Sequence, residues 1–172
     1  MGLLTDSFFV KAIKSNTDLM EMLPAGDIYN NVADPDFDME NVPVPYIIVN
    51  NDGGSEGDTT KDSWSESTED KVNISILMVA NNRDELADIT LAVRKTVTDY
   101  IKAAWVRIQG GSTEEGDELA PTEYNFSFSD IAFDMGKPAC RQIFYYDCVT
   151  PNEIYIEDED DEQENEQESG ES

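Results

Sequence analysis

Leu86, Ile89, Val93, Val97, Tyr100 and Ile101 recur at intervals of three and four, so they share one face of a helix running to about Ala104. Burying those side chains stabilises by roughly 1.5–3 kcal/mol each. A helix with that stripe needs a broad apolar surface to lie on. The chain supplies one just upstream: Val72, Ile74, Ile76 and Met78 alternate with Lys71, Asn73 and Ser75, the pattern of a strand with one dry and one wet face. Helix packed on sheet is the least this sequence builds.

The remaining elements follow the same reading. Leu4, Phe8 and Ala12, with Phe9 and Ile13 beside them, mark an N-terminal helix that Thr5 or Asp6 would cap. Thr17 to Leu23 suggests a short second turn ending at Pro24. Asp27 to Val32 is a short strand candidate, and Ile47-Ile48-Val49 a compact apolar one. Asn81-Asn82 turns the chain before the long helix, which Asp84 would cap. Trp105 to Ile108 reads as a short strand.

Two polar stretches, residues 52–70 and 109–123, read as long loops. Tyr124, Phe126 and Phe128 alternate with polar residues. The phase then changes at Ser129-Asp130, which predicts a bulge. Cys140 to Val149 forms an aromatic strand, and Pro151 is expected to end the regular fold. The predicted class is α+β: an antiparallel or mixed sheet of about five strands with two helices on one face. The domain spans residues 1–152. A disordered acidic tail, residues 153–172, follows it.

Charge narrows the function. The net charge is −27, and residues 157–172 hold ten of the 38 acidic residues and none of the 11 basic ones. That leaves 28 against 11, or −17, on residues 1–156. Such a surface repels phosphate backbones and anionic membranes and attracts basic partners. No leader peptide and no 18-residue apolar run is expected. Cys140 and Cys148 lie eight residues apart in one predicted strand, roughly 26 Å if extended. They cannot bridge within it.

Chemistry finds little to work with. There is no His, so the commonest general base and metal ligand is missing. No phosphate-binding or dinucleotide fingerprint occurs. Asp34, Asp36 and Asp38 open like a calcium loop, but Met39 stands where Gly is needed and Pro45 where Glu is needed. The reading is a protein that is not an enzyme, with no cofactor and no metal. The candidate interface residues are Trp64, with Asp62 and Glu66 beside it, and Glu157, Asp158 and Asp160 in the tail. Trp64 is either a loop residue folded back on the core or an anchor for a partner. The tail is either a solvated end or a docking segment for a basic surface.

Residues 3–104 resemble the tail-completion, or tail-terminator, proteins of long-tailed bacteriophages. The resemblance rests on Asp27-Ile28-Tyr29-Asn30-Asn31-Val32 after an N-terminal helix, on the strand Pro45-Tyr46-Ile47-Ile48-Val49, on the alternating strand Val72 to Ile76, and on the helix from Ala87 to Ile101. It implies a virion protein, assembled in the host bacterial cytoplasm, that forms a ring, usually a hexamer. The ring would end the tail tube and join it to the head connector, with DNA passing through its lumen without specific binding. Its partners would be itself, the tail tube protein and the connector, and no membrane. The acidic tail departs from the family pattern. A head-side connector or stopper ring and an acidic DNA mimic are the competing readings.

Overall fold

A computed structural model describes residues 4–29, 41–61, 65–133 and 139–155. Among these residues three α-helices, α1 (Thr5–Lys14), α2 (Thr17–Glu21) and α3 (Arg83–Gly110), accompany five strands. The strands are β1 (Tyr46–Lys61), β2 (Ser65–Ala80), β3 (Glu123–Phe128), β4 (Ala132–Phe133) and β5 (Cys140–Tyr155). The sheet is antiparallel throughout, in the order β1-β2-β5-β3, with β4 also pairing β5. The expected α+β class holds.

The even-numbered residues of β2 and β5 face the helices. Val72, Ile74, Ile76 and Met78 meet Phe144, Tyr146 and Cys148 there, under Phe8, Phe9 and Ile13 of α1 and Leu86, Ile89, Val93, Val97 and Ile101 of α3. A smaller cluster of Tyr46, Ile48, Val79 and Ala139 lies on the other side of the sheet. Val42, Val44 and Tyr29 cover it. Tyr29 also bridges β1 in parallel: its N–H donates to Ile47 O at 3.0 Å, and Val49 N–H donates to Tyr29 O at 2.9 Å. Asp27 and Ile28 of the predicted strand 27–32 are not in a strand, and residues 30–32, with the 34–38 acidic loop, lie outside the described residues.

Several boundaries differ from the sequence reading. Neither Thr5 nor Asp6 caps α1; Leu4 occupies that position and makes no side-chain cap bond. Asn16 does cap α2, accepting from Leu19 N–H at 3.1 Å. Asn82, not Asp84, caps α3 by accepting from Glu85 N–H at 2.9 Å. Asp84 instead sits in the first turn, where its charge suits the helix dipole. The expected strand at Trp105–Ile108 is the last part of α3. That helix runs on because Ala103 and Ala104 favour it and nothing breaks it before Gly111, whose φ of 70° ends it.

The largest correction concerns residues 52–70, expected as a loop. Residues 52–61 and 65–70 are the outer parts of β1 and β2, two 16-residue strands that pair through Lys61↔Glu66, and residues 62–64 lie outside the described residues. A register shift between Asn51 and Gly54 lets the hairpin bend and continue. Gly53 sits there at φ 94°, and its N–H donates to Asn51 Oδ1 at 2.9 Å. Pro151 does not end the fold either, since β5 pairs with β2 as far as Ser65↔Tyr155. Odd residues of β5 bond towards β3, as Val149 O does in accepting from Thr122 N–H at 2.7 Å. Pro151 lies beyond the start of β3, so its missing N–H costs the ladder nothing.

The predicted break after Phe128 is present. Pairing shifts by one residue between Phe128↔Phe144 and Ala132↔Arg141. Gln142 Nε2 donates to Ser129 O, and Ile143 N–H donates to Ser129 Oγ at 3.2 Å.

Candidate interaction surface

The expected interface residues are not brought together by the described part of the chain. Trp64 and Asp62 lie outside it, as do Glu157, Asp158 and Asp160. Glu66 is placed by its backbone alone, opposite Lys61 and Ile154 near the far end of the β1–β2 hairpin. That end is a three-stranded ribbon of β1, β2 and β5, continuing past Val72 and Cys148, where the helix-covered core stops.

A different surface emerges at the β3 edge. Aromatic rings run from the core to solvent in contact with one another. Phe9 stands 5.1 Å from Tyr146, Tyr146 5.3 Å from Phe126, and Phe126 6.1 Å from Phe128. Arg94 of α3 lies over Phe126 with its guanidinium carbon 4.3 Å from the ring centre, closing the helix layer there. Phe128 lies past that cover and is 66% exposed. Phe133 is 68% and Ile131 36% exposed. Together with Arg83, Asp130 and Gln142 they line a cleft of about 390 Å³. The alternation of Tyr124, Phe126 and Phe128 was visible in the sequence; that the third residue falls beyond the reach of α3 was not.

On the opposite flank of α3, Asn16 Nδ2 donates to Thr96 Oγ1 at 2.7 Å. A groove of about 470 Å³ opens beside that bond, floored by Tyr100 and rimmed by Asp18 and Asp99. Residues 94 and 96 point about 200° apart around a helix. The aromatic edge and this groove therefore lie on different flanks of the same element.

Part of the other sheet face is polar. Asn73, Asp147 and Asn125 form one row across it, and Lys71 and Glu123 line the adjoining cleft of about 620 Å³. These groups make no nucleophile–base pair. No group of three or more metal-binding side chains occurs among the described residues. The free thiols are both buried, and burial, with Asp147 adding to it, pushes Cys148 up to about 12. The α3–β3 connection, expected as a loop at 109–123, is pinned by a 3-10 turn at Asp117–Leu119 and by Trp105 Nε1 donating to Pro121 O at 2.7 Å. Lys11 Nζ donates to Glu115 O from the α1 side.

No protein-family model matches the chain, and no curated protein matches it. No helix among the described residues is long and apolar enough to cross a membrane.

Proposed function

We propose that the chain is a structural, non-catalytic subunit of a ring at the head-proximal end of a bacteriophage tail tube. The ring, of six copies, ends tube growth and joins the tail to the head connector, and the genome passes through its lumen. The observation that supports this most is the β1–β2–β5 ribbon. It is rich in Ser, Thr and carboxylates, and it continues past the helix-covered core. Strands without a hydrophobic face gain little from standing alone. Packing against a neighbouring ring gives such a ribbon a purpose, and Trp64, between its first two strands in sequence, is the candidate anchor.

The succession of elements agrees with the resemblance. A helix, the Tyr29 bridge, the Tyr46–Val49 strand, the alternating strand and the long helix follow in the expected order. The acidic surface suits a channel wall that must release DNA rather than hold it.

The experiment is negative-stain imaging of the purified full chain, followed by complementation of a phage lacking the gene. Rings, together with separate heads and tails in the deletion that the gene rejoins, are expected. A protein that stays monomeric sinks the reading. Rejoining by a chain lacking residues 56–68 removes the ribbon from it.

A further inference from the structure

The two flanks of α3 carry surfaces that match one another and not themselves. On the β3 side, Phe128 and Phe133 are about two-thirds exposed, and Arg83 stands in the same cleft without an ion pair among the described residues. Exposed aromatic residues grouped beside an arginine have the composition of an interface centre. On the α2 side lies the groove floored by half-buried Tyr100, with the carboxylates of Asp18 and Asp99 at its rim. Neither carboxylate has an ion-pair partner among the described residues. The β3 flank offers rings and a cation, with the single carboxylate of Asp130 beside them, and the α2 flank offers a groove with two carboxylates at its rim. The chain as a whole repels copies of itself at −27, so an attractive contact has to be local.

We propose that neighbouring copies meet flank to flank. The β3–β4 edge of one copy, carrying Phe128 and Phe133, enters the groove over Tyr100 of the next, and Arg83 faces Asp18 and Asp99 there. The contact is heterologous: it uses two different surfaces of each copy, so repetition closes a ring if the rotation allows. The inference rests on the ring reading above and names the surfaces that make the ring. Both surfaces lie on or beside α3, which is anchored to the core by six buried side chains, so they are presented rigidly.

The test uses the full chain in native mass spectrometry and negative stain. The double substitution Phe128→Ser with Phe133→Ser is expected to leave monomers, with an unchanged circular dichroism spectrum because both side chains are already exposed. Arg83→Glu is expected to weaken assembly at least tenfold, and adding Asp18→Lys and Asp99→Lys to restore it. Phe133→Cys combined with Asn16→Cys is expected to give a ladder of oxidised oligomers, with Cys140 and Cys148 silent because they are buried. A ring that survives the double substitution, or forms without a cysteine ladder, overturns this interface and leaves the ring reading standing. A wild-type chain that is monomeric at every concentration and salt overturns both.

Discussion

Arg107 grips Asp117 from two sides: Nε donates to Oδ2 at 2.8 Å and Nη2 to Oδ1 at 2.6 Å. Glu114 N–H donates to Oδ2 as well, at 2.9 Å, and the carboxylate is almost wholly buried. The pair ties the end of α3 to the 3-10 turn before β3 and so fixes where the edge strand enters the sheet. The guanidinium, helped by that N–H, holds the Asp117 carboxyl below its usual value against the opposing effect of burial.

A group with a lowered folded pKa stabilises above its unfolded pKa, about 3.9, and loses that contribution as pH falls through the lower folded value. Asp117→Asn is therefore expected to destabilise at neutral pH by about 2 kcal/mol. That is less than a fully buried pair costs, because Arg107 keeps some contact with water. Urea midpoints compared at pH 7 and below pH 3 check it: the gap between wild type and variant should close in acid.

Tyr146 is buried at the centre of the aromatic row, and its hydroxyl has no hydrogen-bond partner among the described residues. Burial also pushes its ionisation upward. Removing an unsatisfied buried polar atom relieves a desolvation penalty of about 1 kcal/mol. Tyr146→Phe should leave the unfolding midpoint unchanged or raise it, and a clear loss of stability would refute this.

Cys140 and Cys148 are free and buried, and a thiol that ionises only near 12 offers almost no thiolate at neutral pH. An aromatic disulfide reagent should label Cys148 no faster than the chain unfolds, and both thiols at once in denaturant. Rapid labelling of the native chain would mean that β5 opens locally.

A Cβ added at Gly54 would overlap the carbonyl oxygen of Lys71 across the β1–β2 bulge. Gly54→Val should cost roughly 1–3 kcal/mol. It should also increase amide exchange in the ribbon before the core responds. Uniform exchange across the sheet would show that the bulge does not couple to the ribbon.

The proposed ring of six copies at −27 would carry −162. Two unit charges 10 Å apart repel by about 0.4 kcal/mol in water, and salt screens them beyond about 8 Å. Assembly should therefore strengthen as salt rises from low values. Light scattering that falls with added salt would contradict the repulsion.

The sequence carried the covered parts of this fold and not the uncovered ones. Val72 to Met78 and Leu86 to Ile101 were legible because a buried face imposes a period, of two or of 3.6 residues, on apolar side chains. The outer parts of β1 and β2 impose none. Their residues are Ser, Thr, Gly, Asp and Glu, with Lys61, and their strand structure rests on backbone pairing that no local pattern records. Trp105 to Ile108 was misread for a related reason: an apolar cluster near a glycine fits a short strand as well as a helix end. The candidate surface was hidden differently. Phe128 obeys the same alternation as Phe126, and only the position of α3 decides that Arg94 covers one ring and leaves the other in water.

The order of strands carries a temporal meaning. β5 is the last of the described strands, yet it lies inside the sheet with β2 on one side and β3 and β4 on the other. A nascent chain emerging from the ribosome can fold the β1–β2 hairpin early but has nothing to join it to β3. For as long as β5 is unmade, half the sheet waits with open edges. When it arrives, one insertion completes both seams together, so the closing of the sheet is a late event instead of one that grows with the chain.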